Sequence, residues 1–371
     1  MNKIRILMVL GNTGRGGAQT FAMNVLRMIN RKKYEVDFAV NEIRDNGYTQ
    51  EILDLGRTVH EIPFFKGFNW ISYVKSWDEL LTQNHYDIVH GHVSSSASIY
   101  LKEAHKHGCK TIVHSHSAGY RGNRFEQAVK KVFTLGAKRQ ADYWFACSAP
   151  AAERLFGCNY DRYGNYYYIP NAIIVDRYLF NEESRNRIRS QLGVDSYQKL
   201  YGHVGSFTAP KNHDFLLEVF SRIIIDDPSA ILVLAGEGER KKEIEARIAS
   251  LKLSDNVKLV GNVGNVSEYM MAMDTMIFPS FFEGFPITIL EAQATGLPIV
   301  LSDTITSEVF LTDCVNPMPL DSGVEAWAQT AIRLSSVNRI LMNTIIANSK
   351  YNMKNCVELL ESIYDEMVEE K

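Results

Sequence analysis

Short apolar runs that alternate with helical stretches along almost the whole chain limit what it can fold into. In the first half the runs predicted as strands are Ile4–Leu10, Tyr34–Val40, Thr58–Ile62, Asp87–His92, Thr111–His116 and Tyr143–Cys147. In the second half they are Leu200–Val204, Ala230–Ala235, Val257–Val260, Thr275–Phe278 and Pro298–Leu301. Runs without polar–apolar alternation suit strands covered on both faces, and strands separated by helices build βαβ units around a parallel sheet. Two such series in 371 residues predict two doubly wound α/β domains, at roughly 150 residues each.

Composition narrows the function classes. Hydrophobic residues at 46%, charged residues at 22% and a net charge of −3 give no overall drive toward nucleic acid. The cysteines (Cys109, Cys147, Cys158, Cys314 and Cys356) are scattered without CxxC spacing, which fits a reducing cytoplasm better than a disulfide framework or a zinc–cysteine site. The apolar run Ile4–Leu10 leads into a glycine-rich turn, not into the longer core and cleavage site of a signal peptide. No apolar run approaches the ~18 residues that span a bilayer, so any membrane is met from its surface. The segment 121–140 offers such a surface: Arg121, Arg124, Lys130, Lys131, Lys138 and Arg139 stand against one acid, Glu126, with Val129, Val132, Phe133 and Leu135 on the apolar side. An ordinary amphipathic helix and a basic face for anionic lipid read equally well from that pattern.

Ligands of open α/β sheets bind beyond the carboxyl ends of strands. Pro279-Ser280-Phe281-Phe282-Glu283-Gly284-Phe285-Pro286-Ile287-Thr288-Ile289-Leu290-Glu291-Ala292 occupies such a place after the run Asp274–Phe278. It puts Glu283 in a loop and Glu291 over a turn into the following helix, with Pro286 suited to the first helical turn. Carboxylates accept hydrogen bonds from sugar hydroxyls. From spacing alone, two solvated acids flanking a helix are the commoner outcome.

Glu-Gly-Phe-Pro followed by Glu-Ala closely resembles the signature of retaining family 4 glycosyltransferases of the GT-B type. The resemblance spans nearly the whole chain, the second half more specifically. It implies two Rossmann-like doubly wound domains facing across a cleft. Residues 1–172 form the acceptor-side domain, with a final helix, 354–371, packing back on it, and residues 173–353 form the nucleotide-sugar domain. Ile169-Pro170-Asn171-Ala172 resembles the crossing between them. Under this resemblance Glu283 lies at the donor sugar, the backbone of Gly284, Phe285 and Pro286 lines the same pocket, and Glu291 meets the ribose hydroxyls.

Gly205-Ser206-Phe207-Thr208-Ala209-Pro210-Lys211-Asn212-His213-Asp214 follows another predicted strand. A lysine just before a helix meets a diphosphate as a compact positive charge, although an isolated lysine more often ends on the surface. By resemblance Lys211 neutralises the leaving diphosphate. The family usually has Arg where this chain has Ser206, which leaves the serine hydroxyl, backbone N–H groups or Arg15 to share that work.

In the first half, Gly11-Asn12-Thr13-Gly14-Arg15-Gly16-Gly17 leads from strand to helix, where glycines and a helix end suit an anion. Gln19 occupies the place of the third glycine of a dinucleotide fingerprint, so the loop reads equally as a tight structural turn, and Glu42 keeps a nicotinamide competitor open. Gly16-Gly17-Ala18-Gln19 resembles the family's Gly-Gly opening, which faces donor phosphates and acceptor. His90, His92, His114 and His116 all fall at strand ends. The paired spacing invites a metal reading, but no Asp or Cys accompanies either pair, and histidines at a sheet edge are commonly hydrogen-bonded structural groups. Val113-His114-Ser115-His116-Ser117 resembles the motif in which the family sets a histidine near the reacting sugar. His116 is the candidate there, and titration near neutrality would suit it to proton handling.

The implied reaction moves a hexose from a nucleotide-diphosphate sugar, UDP-linked, to an acceptor hydroxyl with retention, using no metal or other cofactor. Wording such as Lys-Asn-His-Asp and Glu-Ala-Gln-Ala-Thr-Gly-Leu-Pro resembles bacterial enzymes of capsular or extracellular polysaccharide assembly, whose acceptor is a sugar on a polyprenyl diphosphate. Such an enzyme would be cytoplasmic, peripheral on the inner membrane face. Three competitors remain at this level. They are a GT-B nucleotide-sugar epimerase, an NAD-dependent oxidoreductase and a non-catalytic sugar-nucleotide-binding protein.

Overall fold

The computed structural model describes residues 3–116, 136–283, 285–339 and 343–369. The chain divides into two units, Met1–Ala172 with Met353–Lys371, and Ile173–Asn352. Most of the basic segment 121–140, and Gly284, lie outside the described residues.

The first unit holds a parallel sheet of β1 (Ile4–Leu10), β2 (Tyr34–Val40), β3 (Val59–Glu61), β4 (Ile88–Gly91), β5 (Lys110–Ser115), β6 (Tyr143–Ala146) and β7 (Tyr166–Tyr168), in the order β3-β2-β1-β4-β5-β6-β7. The second holds β8 (Leu200–Val204), β9 (Ile231–Ala235), β10 (Val257–Gly261), β11 (Thr275–Phe278), β12 (Ile299–Ser302) and β13 (Val315–Met318), in the order β10-β9-β8-β11-β12-β13. Central strands such as β8, β9, β11 and β12 are buried along their whole length, as their unbroken apolar wording requires. In each sheet the strand order reverses once, between β1 and β4 and between β8 and β11. The connections on either side of that reversal run in opposite directions, which opens a crevice at the carboxyl ends there.

Two strands escape the sequence pattern. β7, Tyr166-Tyr167-Tyr168, lies just before the Ile169–Ala172 stretch and pairs with β6 as an edge strand. β13 carries Asn316 and Pro317, poor strand residues, yet pairs with β12 from Val315 to Met318. An edge position tolerates proline because one side of the strand needs no N–H donor. Pro286 also shifts by one place, capping the helix Ile287–Ala294 from just outside it instead of opening its first turn.

The helix Met353–Glu369 belongs to the first unit. Its inward face buries Cys356, Val357, Leu360, Ile363, Tyr364 and Met367. Tyr34 Oη anchors it by donating to Asp365 Oδ1 at 2.6 Å, beside the Lys33–Asp365 ion pair.

The charged run after Asn181 forms the helix Glu182–Leu192, capped by the Asn181 side chain on Ser184 N and closed by Gly193 at φ 68°. Its arginines work inward. Arg185 and Arg189 pair with Asp274 at 2.6 and 3.2 Å, just before β11. Arg185 also donates to the carbonyls of Met271, Ala272 and Met273, the open end of the helix Val266–Ala272. Asp274→Ala strands the buried Arg189 and the part-buried Arg185 guanidinium groups. Denaturant unfolding should therefore show a loss of about 3–5 kcal/mol, and a loss within the ±0.5 kcal/mol of a surface change would refute this account.

Candidate active site

The crevice of the second sheet collects the sequence candidates of that half. After β8 the chain turns through Gly205 and Ser206 into a 3-10 turn, Ala209–Lys211, and Asn212 at φ 54° starts the helix His213–Asp226. Asparagine tolerates this left-handed conformation better than most residues because its short side chain can bond locally. After β11 the loop 279–286 lies against that turn, joined by Phe281 N donating to Pro210 O at 2.8 Å. Lys211 Nζ then stands 2.7 Å from Glu283 Oε1 and 4.8 Å over the Phe278 ring. The two side chains are only 15% and 12% exposed, so the charges face each other with little water to screen them. The contact is coulombic, since its angles leave Glu283 Oε1 outside hydrogen-bond geometry.

Glu291 sits on the helix Ile287–Ala294 and accepts a hydrogen bond from Tyr178 Oη at 2.5 Å. Burial pushes its carboxyl above the ordinary range, and the Tyr178 hydroxyl pulls it back. Tyr178 had no signal in the sequence, because the pair is separated by 113 positions and no motif joins them. Phe285 packs on the Tyr351 ring and Pro286 is buried, so both form wall. Ser206 is exposed, its Oγ 3.4 Å from Thr208 Oγ1. His203 and His213, which sequence reasoning passed over, are fully buried beneath this turn. His203 Nδ1 bonds the Ile277 carbonyl at 3.0 Å, and the His213 ring nitrogens have no hydrogen-bond partner among the described residues.

In the first unit the loop after β1 ends with Gly16 as cap and Gly17 as first residue of the helix Gly17–Met28. A Cβ on Gly17 would meet nothing within 4 Å, whereas one on Gly16 would strike Gln19 Oε1 at 2.5 Å. Arg15 is engaged locally, its Nε donating to Asn46 O at 3.3 Å and its guanidinium lying 4.9 Å over Tyr48. Glu42 pairs with Arg44 at 3.0 Å.

At the carboxyl ends of β4 and β5 and just beyond them the four histidines gather. His92 Nδ1 and His116 Nε2 are 2.7 Å apart, and His116 Nδ1 lies 3.2 Å from Asn171 Oδ1. His90 Nε2 and His114 Nδ1 are 3.2 Å apart, and His90 Nδ1 meets Tyr364 Oη at 2.8 Å. Phe21 packs edge-on against His114 at 5.2 Å.

Residues 15–177 match the family described as Glycosyltransferase Family 4, and residues 184–350 match Glycosyl transferases group 1. The chain belongs to these glycosyltransferases. It is 28% identical over 97% of its length to EpsF of Bacillus subtilis (strain 168), a glycosyltransferase by name, of which it covers 96%. Over its full length it is 22% identical to an Escherichia coli protein named UDP-Gal:alpha-D-GlcNAc-diphosphoundecaprenol alpha-1,3-galactosyltransferase, covering 99% of it. The crystal structure of Anabaena HepE in complex with UDP and glucose shares the fold at TM-score 0.77 and 17% identity, over 98% of this chain and 99% of that one. The two doubly wound parallel sheets are those of the GT-B class.

In this glycosyltransferase the structure brings Lys211, Glu283 and the Ser206 turn together in one crevice, and His116 into contact with the imidazoles of His92 and His114. One expectation fails. His116 does not titrate near neutrality, because burial holds it down to about 4, against a smaller upward pull from Asn171. Burial, with the neighbouring His116, likewise holds His90 down to about 3, against an ordinary 6.5. An unfolded chain with histidines near 6.5 binds protons that the folded glycosyltransferase refuses until about 4, so acid favours unfolding across that window. Melting temperature should hold above roughly pH 7 and fall steadily toward pH 5. A flat profile would mean that the cluster is solvated.

Proposed function

We propose that this glycosyltransferase moves a hexose from a UDP-linked sugar to a hydroxyl of a lipid-linked saccharide, with retention, in the assembly of a capsular or extracellular polysaccharide. The Lys211–Glu283 pair at the second sheet's reversal carries the reading. One charge suits the departing diphosphate and the other the sugar hydroxyls, and the two sit on loops bonded to each other. Catalysis here means stabilising charge on the diphosphate and on an oxocarbenium-like sugar. Lys211 and the N–H groups opening the helix His213–Asp226 are assigned to the diphosphate, Glu283 to the sugar, and Glu291, oriented by Tyr178, to the ribose.

The backbone of Phe285 and Pro286 is assigned to the sugar pocket, the expected part of Gly284 lying outside the described residues, and Ser206 adds a hydroxyl where the family resemblance leads one to expect an arginine. Gly16 and Gly17 offer N–H groups at their own helix start. His116, neutral throughout the physiological range, is assigned to a sugar or acceptor hydroxyl, for which it exchanges its long bond to Asn171. Transfer proceeds without a metal on the diphosphate, because a cationic side chain and a helix end supply the neutralisation. The UDP and glucose of HepE and the diphosphoundecaprenol named for the Escherichia coli relative support the donor and acceptor classes.

No helix among the described residues is long and apolar enough to cross a membrane. Approach to a lipid-linked acceptor is assigned to segment 121–140 in a cytoplasmic, peripheral protein. The exposed Phe64, Phe68, Trp70 and Ile71, beside Lys66, add an apolar lip on the same unit. Reversing charge at Lys130 and Lys131 should cut association with anionic liposomes at low salt, while unchanged association would return the segment to an ordinary surface helix.

A thermal-shift screen of nucleotide sugars, followed by titration calorimetry with UDP and an assay of transfer, tests the whole reading. Glu291→Ala should weaken UDP binding by about 10–100-fold, the range of one or two charge-assisted hydrogen bonds. Glu283→Gln should leave UDP affinity within a few-fold and lower transfer. Equal kinetics in both variants and the parent would reject these roles. A second reading, a non-catalytic binder, draws on exposed Ser206 in the arginine position, and UDP binding without any hydrolysis or transfer would favour it.

A further inference from the structure

His90 and His92 stand two residues apart at the end of β4, and His114 occupies the neighbouring strand, where His90 pairs with Ile112 and His114 with Phe145. Alternation along a strand turns residues two apart to one face, so the imidazoles converge instead of straddling the sheet. One ring nitrogen of each of the three lies within 4.8 Å of the other two. His90 Nε2 and His114 Nδ1, at 3.2 Å, already have the spacing of two nitrogens on one tetrahedral zinc, about 3.3–3.4 Å for bonds of 2.0–2.1 Å. His92 Nε2 is buried without a hydrogen-bond partner among the described residues, although the residue as a whole is partly exposed.

Two of the three far nitrogens carry the bond expected of a metal-binding imidazole. Metal-binding imidazoles nearly always carry a hydrogen bond on the second nitrogen, which fixes tautomer and ring orientation. His90 has Tyr364 Oη there, and His92 has His116, which is held in turn by Asn171. The Ile169 carbonyl acts on the His114 ring, whose Nε2 is buried without a hydrogen-bond partner among the described residues. The rings of Phe21 and Phe145 pack edge-on against His114 and give the cluster an apolar wall.

We propose that His90 Nε2, His92 Nε2 and His114 Nδ1 bind one late first-row divalent transition ion of the zinc class. Three imidazoles with neither carboxylate nor thiolate suit zinc, cobalt, nickel or copper and disfavour magnesium, calcium and manganese. Loading leaves every ring neutral. His90 keeps its proton on Nδ1 and donates to Tyr364 Oη, His92 keeps its own on Nδ1 toward His116, and His114 keeps its own on Nε2. The ion ties the ends of β4 and β5 together and, through His92, fixes the ring of His116. This site is separate from the diphosphate neutralisation assigned above, and it stands whether or not that assignment does.

Full-length protein, stripped with chelator and titrated with cobalt(II), tests the proposal. Expected are uptake of one ion per chain with the intense visible band of four-coordinate cobalt, displacement by zinc, and a raised melting temperature. His92→Phe keeps the ring shape and removes a ligand, so it should lower affinity by at least about 100-fold. Tyr364→Phe should lower it by about 10–100-fold. X-ray absorption of cobalt-loaded parent protein needs no variant and should show imidazole scattering from the ligand shell. A weak six-coordinate spectrum, an oxygen-only shell, or uptake indifferent to His92→Phe in a folded protein would overturn the site.

Discussion

Each sheet changes direction once, and nearly everything functional in this glycosyltransferase follows from that constraint. A parallel strand can be reached only by a crossover, and crossovers of one hand cover one face on each side of the starting strand. Between β1 and β4, and again between β8 and β11, adjacent strands send their loops apart and leave their carboxyl ends uncovered. Gly16, Gly17 and the histidines stand at or beside the first such edge, and Lys211 and Glu283 at the second. The other candidates matter through their relation to those edges, as Glu291 does on the helix that leaves one of them.

The two ends of β11 show why the same chemistry serves different purposes. At the amino end, Asp274 is held by two arginines whose remaining donors go to backbone carbonyls, so the charges are spent on closing a helix. At the carboxyl end, Lys211 has one carboxylate and an aromatic face around it among the described residues. A buried pair that has satisfied its donors is costly to disturb, whereas an ammonium with donors to spare can exchange partners. The first arrangement is structural, and the second is the one to which the proposed function assigns a ligand.

The sequence disclosed what is local. Strand-and-helix alternation, the Lys-Asn-His-Asp turn and the two glutamates are all contiguous words, and each fell where the alternation placed it. What it concealed is either long-range or compensated. β13 could not be seen because Pro317 argues against a strand until an edge position excuses it, and β7 because three tyrosines beside a crossing carry no alternation. Tyr178 on Glu291 and Tyr364 on His90 join residues over a hundred positions apart. The histidine pairs were visible, but the absence of an acid or thiol beside them in sequence hid that each pair's true neighbour is the other pair. Burial then reverses the reading of His116, since a ring with a neutral network around it loses the titration that its type suggests.

Ser206 sharpens the role of Lys211. With one cation where two are usual, and that cation already facing Glu283, the free crevice is close to neutral. On the proposed reading, a donor arriving there offers a phosphate to the lysine and hydroxyls to the glutamate at the same time. Each partner then trades one charge-assisted contact for another, and no buried charge is left alone at any stage. A ligand with only the diphosphate would satisfy Lys211 but leave Glu283 without its partner, whereas a bare sugar would do the reverse. On that reading the paired carboxylate and ammonium make recognition of the two halves of a nucleotide sugar mutually dependent, a selectivity that an arginine in place of Ser206 would weaken by binding diphosphate on its own.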